Sequence, residues 1–106
     1  MSAPGTWVDA VAIDDLTDAE GHGTVVAGRD IALFRVGPQV FATDNVCSHG
    51  RARLCEGQVD GHELECPNHQ GRFDLRSGAP TCPPACDPIR TYPVRLHAGR
   101  VLVRLD

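Results

Sequence analysis

No stretch of this chain keeps a helical period for more than a few residues, and that limits its fold more than any other feature. Apolar residues come instead in short runs rich in β-branched side chains, each closed by glycine or proline. "TWVDAVAI" and "GTVVAG" are two of them. "DIALFRVGPQVFATD" holds two more, split by "GPQ", a hairpin signature. Toward the end, Tyr92, Val94 and Leu96 alternate with Pro93 and Arg95. After "AG", Val101, Val103 and Leu105 alternate with Leu102 and Arg104. That predicts a second hairpin with one face turned inward. The only candidate helical turn, "DDLTDAE", is too short to stand alone. The expected fold is all-β, an antiparallel barrel or sandwich, and 106 residues suit one domain spanning 1–106.

Residues 44–80 break the pattern. They are dense in Gly, Cys, His and Arg and poor in alternating apolar residues. A hairpin fits inside, "HELEC" followed by "GRFDLRSG". The segment reads as an insertion carried by the barrel, with loops where chemistry would sit. With so little apolar content of its own, it would depend on metal bonds to tie its loops together.

Those loops carry "CSH" (Cys47, Ser48, His49) and "CPNH" (Cys66 to His69), sixteen residues apart. Each offers one thiolate and one imidazole, a donor set that suits zinc, iron or an iron–sulfur cluster. Zinc fingers usually pair Cys with Cys and His with His. A mixed pair in each loop fits a [2Fe–2S] cluster in which two Cys hold one iron and two His the other. Cys47 and Cys66 would converge on the inner iron, and His49 and His69 on the outer one. The other three cysteines, Cys55, Cys82 and Cys86, read as packed thiols. A disulfide between Cys82 and Cys86 is the alternative. His22, His62 and His97 lie in turn-like settings and are expected to be solvated. Trp7 and Tyr92 are read as core or rim packing, and Phe73 and Leu75 as cover for the cluster hairpin.

"CSHGRARL…EG" with "ECPNHQGRFDLRSG" resembles the Rieske-type ferredoxins of bacterial aromatic ring-hydroxylating dioxygenase systems, those of the naphthalene and biphenyl type. The resemblance runs through "RDIALFRV" and "PIRTYPV". It implies a Rieske fold, a barrel or sandwich base with a smaller cluster-binding subdomain at about 44–80, and one [2Fe-2S] cluster on Cys47, His49, Cys66 and His69. It also implies a carrier with no catalytic residue. Single electrons would come from an NAD(P)H-dependent flavin reductase and pass to a terminal oxygenase. Respiratory Rieske proteins have two further cysteines, and serine and tyrosine hydroxyls near the cluster. The matching positions here are Ala52 and Asn68, and Gly71 and Phe73, which implies a low reduction potential. A Rieske subunit or fragment of an oxygenase and a Cys2His2 zinc module are the competing readings.

Charge narrows the partners. The ten basic residues are all arginine and the net charge is −4, against nucleic acid as a ligand. Residues 1–46 carry net −5 and residues 81–106 net +2. The opening "MSAPGTWVDA" lacks a basic region and an apolar stretch, and no run would span a bilayer. The expectation is a cytoplasmic monomer that does not associate with membranes.

Overall fold

The computed structural model describes residues 6–47, 52–67, 71–82 and 87–105. The expected all-β fold is found, in three antiparallel sheets. The first joins β1 (Trp7–Ala12), β11 (Arg100–Arg104) and β10 (Val94–His97), in that order. The second runs β2 (Gly21–Val26), β3 (Arg29–Val36), β4 (Gln39–Asp44), β9 (Thr91–Tyr92). The third runs β5 (Gln58–Asp60), β6 (Glu63–Glu65), β7 (Arg72–Asp74), β8 (Pro80–Cys82), all inserted between β4 and β9.

Both expected hairpins form. β3 and β4 pair from Ile31↔Asp44 to Val36↔Gln39 across the turn at Gly37, whose φ is 59°. The two "AG" turns carry left-handed backbone at both residues: Ala27 and Gly28 between β2 and β3, Ala98 and Gly99 between β10 and β11. Two such residues in a row give the tight turn whose twist matches that of the strands it joins.

β3 organises the interior. Its run Ile31-Ala32-Leu33-Phe34 is fully buried. Successive side chains leave a strand on opposite faces, so one run serves two cores. Ile31 and Leu33 pack with Val26, Val40, Tyr92, Val101 and Val103. Ala32 and Phe34 pack with Leu54, Leu64, Phe73, Leu75 and Ile89 on the inserted side.

The candidate helical turn at "DDLTDAE" is limited to its start, where a single 3-10 turn covers Ile13–Asp15, and Leu16 then drops into the core. A second 3-10 turn, Leu54–Glu56, has no counterpart in the sequence pattern. Leu96, expected inward, is 44% exposed and lies on β10, an edge strand of the first sheet. Residues 44–80, expected to be poor in apolar content, bury Leu54, Leu64, Phe73 and Leu75, all at most 1% exposed.

Candidate metal centre

The two cysteines of the motifs come together. Cys47 is 3% exposed and Cys66 fully buried, and both belong to the core cluster built on Ala32 and Phe34. Each opens a loop closed in the same manner. The Cys47 N–H donates to the Ala52 carbonyl at 3.0 Å, and the Cys66 N–H donates to the Gly71 carbonyl at 2.7 Å. Each bond thus spans five residues and sets its cysteine at the root of a short closed loop. His49 and His69 fall within these loops, with Ser48, Gly50, Arg51, Asn68 and Gln70. All of them lie outside the described residues, as does Cys86.

The loop roots are braced differently. The second stands on a regular hairpin, β6 and β7, with Leu64 opposite Phe73 and Glu65 opposite Arg72. Arg72 spans two carboxylates there, Glu63 at 3.5 Å and Glu65 at 3.7 Å. The first has only one bridge, Val46 to Arg53, before the chain turns into the second 3-10 turn. Gly57, the glycine of the "EG" quoted above, ends that turn against β6. A Cβ there would lie 2.2 Å from the Glu65 carbonyl oxygen, so only glycine lets the two loop roots approach.

Asn45 carries no signal in the sequence pattern, yet it is fully buried beside the first root. Its Nδ2 donates to Asp30 Oδ1 at 3.0 Å, and its Oδ1 accepts the Cys55 N–H at 2.8 Å. Nothing in its spacing would have revealed this.

Phe73 and Leu75 are buried in the cluster that holds the cysteines. Cys55 and Cys82 are free thiols, half-buried. His97 is exposed, whereas His22 and His62 are half-buried, and His62 meets Phe41 edge-on at 5.6 Å between ring centres. Tyr92 is core, its hydroxyl donating to Asp44, while Trp7 sits at the rim with the Arg95 guanidinium 4.4 Å from its ring centre. After β7, Arg76 grips the Asp74 carboxylate from Nη2 at 2.9 Å and holds its pKa below the ordinary value. Among the described residues, no helix is long and apolar enough to cross a membrane.

Two buried thiols at the roots of matched loops, in a shared apolar setting, suit soft metal ligation. The comparisons agree. The family model of the Rieske [2Fe-2S] domain matches residues 6–93. The ferredoxin component of the naphthalene 1,2-dioxygenase system of Pseudomonas putida is 43% identical over 100 residues, covering 94% of this chain and 96% of that one. Among solved structures, the ferredoxin of carbazole 1,9a-dioxygenase from Nocardioides aromaticivorans superposes with a TM-score of 0.90 at 37% identity, over 95% of this chain and 99% of that one. A ferredoxin chain solved in complex with the reduced oxygenase of carbazole 1,9a-dioxygenase gives 0.85 at 34% identity, over 95% and 94%.

Proposed function

The chain belongs to the Rieske [2Fe-2S] family, and from that premise we propose that it is the electron-carrying ferredoxin of a bacterial aromatic ring-hydroxylating dioxygenase system. The naming of its relatives as ferredoxin components supports a carrier over an oxygenase fragment or a zinc module. The cluster supplies one-electron chemistry when bound. The chain's own part is to hold it, shield its inner side and present its outer side.

Cys47 and Cys66 would hold one iron of the cluster, and His49 and His69 the other. The observation that carries this is the pair of buried cysteines at the roots of two loops closed alike. Residues 44–80 form the cluster-binding subdomain of one domain, with Ala32 and Phe34 of β3 as its floor. Electrons arrive singly from an NAD(P)H-dependent flavin reductase and leave to a terminal oxygenase. The complex of a related ferredoxin with its oxygenase supports the second partner. The carrier acts as a cytoplasmic monomer, without nucleic acid or membrane. Docking would use His49, His69 and Gln70 together with Arg51 and Pro67, of which Pro67 alone lies among the described residues.

Iron and acid-labile sulfide analysis of the purified protein tests the cofactor: two of each per chain, with brown-red colour, is expected. A colourless, zinc-loaded protein would overturn the reading. Gln70→Glu should slow transfer with both partners and leave the visible spectrum unchanged. Unchanged rates with both would remove these residues as the docking site.

A further inference from the structure

We infer that Asn45 is a positioning residue for the cluster, holding the first ligand loop in register from two residues away. The inference rests on Cys47 as a ligand. The second loop needs no such device, because paired strands flank it on both sides. The first loop stands on a ladder that stops early. Val46 bridges Arg53, and the Leu54 N–H donates to the Asn45 carbonyl at 2.6 Å. At Leu54 the opposite stem turns into its 3-10 turn, so the next N–H, that of Cys55, leaves the ladder.

The Asn45 side chain supplies the missing rung. Its Oδ1 takes the Cys55 N–H at 2.8 Å. Its Nδ2 donates to Asp30 Oδ1 at 3.0 Å, while its backbone N–H donates to the Asp30 carbonyl at 3.0 Å. One residue thereby fixes both stems of the loop to each other and to β3, the strand that floors both cores. Both main-chain and both side-chain polar groups are used, in a site with no exposure to solvent. The job needs an acceptor and a donor on one planar group, which is what an amide offers. A carboxylate could accept from Cys55 but would face Asp30 as a like charge; alanine could do neither.

Groups that orient metal ligands without touching the metal typically change affinity roughly 10–100-fold when removed. The test uses holo-protein with the variants Asn45→Ala, Asn45→Asp and the exchange Asn45→Asp with Asp30→Asn. The exchange reverses donor and acceptor between positions 45 and 30 and keeps the Cys55 bond and the net charge. Three readouts are taken: the rate of iron loss to an excess of chelator, the reduction potential, and the EPR g-values of the reduced protein.

Asn45→Ala and Asn45→Asp should each lose iron at least about tenfold faster than wild type, within the range above, with shifted g-values. The exchange should return both readouts close to wild type. If Asn45→Ala lowers the melting temperature but leaves all three readouts unchanged, Asn45 is only a core residue and the inference falls. Should Asn45→Ala fail to fold, the other two decide: an exchange no better than Asn45→Asp alone overturns it. A Cys47→Ser control separates the two claims. If that variant keeps its iron, the ligand assignment is at fault; if it loses iron while the position-45 variants behave as wild type, only the inference fails.

Discussion

Replacing Cys47 with serine should remove the cluster and yet leave the inserted sheet folded. Sequence alone suggests the opposite, since residues 44–80 look too poor in apolar side chains to stand without metal. The structure supplies the missing term. Leu54, Leu64, Phe73 and Leu75 are at most 1% exposed and Ile89 is 5% exposed. Burying a side chain of this kind is worth roughly 1.5–3 kcal/mol, so the five contribute about 7–15 kcal/mol before chain ordering is set against them. They rest on Ala32 and Phe34, which the second sheet orders whether or not metal is bound. The serine hydroxyl, left in a site 3% exposed, costs about 1–3 kcal/mol if it finds no partner. That is a minor fraction of the burial. Iron content and visible absorption should therefore vanish, while the amides of β6 and β7 keep slow hydrogen exchange. Loss of protection should be confined to the loops that Cys47 and Cys66 open. If β6 and β7 exchange as fast as the loops, the apolar floor is too weak to act as argued. If colour persists, Cys47 is not a ligand.

Three further outcomes are expected. Gly71→Ser with Phe73→Tyr should raise the reduction potential by tens of millivolts, where about 59 mV corresponds to 1.4 kcal/mol for one electron; because Phe73 is fully buried, the same pair should destabilise the apo-protein, and voltammetry beside apo-protein melting checks both. Burial, and then the hydrogen bond to Asp44, hold the Tyr92 phenol above its ordinary pKa of 10.0, so the folded state binds its proton more tightly. This contribution is fully present below pH 10 and is lost as pH rises through the folded value. Tyr92→Phe should flatten that alkaline slope and cost about 1–2 kcal/mol at neutral pH in denaturant titrations. Ala98 sits at φ 51°, a conformation costing an L-residue roughly 1–2 kcal/mol but one that asparagine tolerates. Ala98→Asn should thus add about 1 kcal/mol, roughly 4–8 °C in Tm for a domain of this size; an unchanged Tm would mean the turn is not strained.

What the sequence revealed depended on how far each feature reaches. Residue types and spacing are local, so "CSH" and "CPNH" single out Cys47, His49, Cys66 and His69 as candidate ligands; the two cysteines share one buried cluster, and the two histidines lie outside the described residues. The "GPQ" and "AG" turns are equally local and fixed both hairpins. Alternation failed where strands are short. β6 and β7 have three residues each, with one buried side chain flanked by two half-buried ones, too few for a period of two to register. It also failed in β3, where a continuous apolar run concealed service to two cores. Leu96 reads as inward because the pattern cannot tell an edge strand from a central one. Asn45 carried no signal, because its role comes from Asp30 and Cys55, which only the fold brings near.

The pairing of β1 with β11, Trp7 opposite Arg104 and Val8 opposite Val103, sets an order on assembly as the chain is made. Of the strands among the described residues, β1 leaves the ribosome first and pairs with the last, β11. β2 to β8 join neighbours in sequence and can pair while synthesis continues. The loops that Cys47 and Cys66 open, and most of the floor beneath them, therefore emerge, and can begin to gather, before the base of the molecule is able to close. Contacts between distant parts of a chain form slowly, so closure of the first sheet is the late step. Strand order thus lets the inserted sheet pair before the first sheet can close.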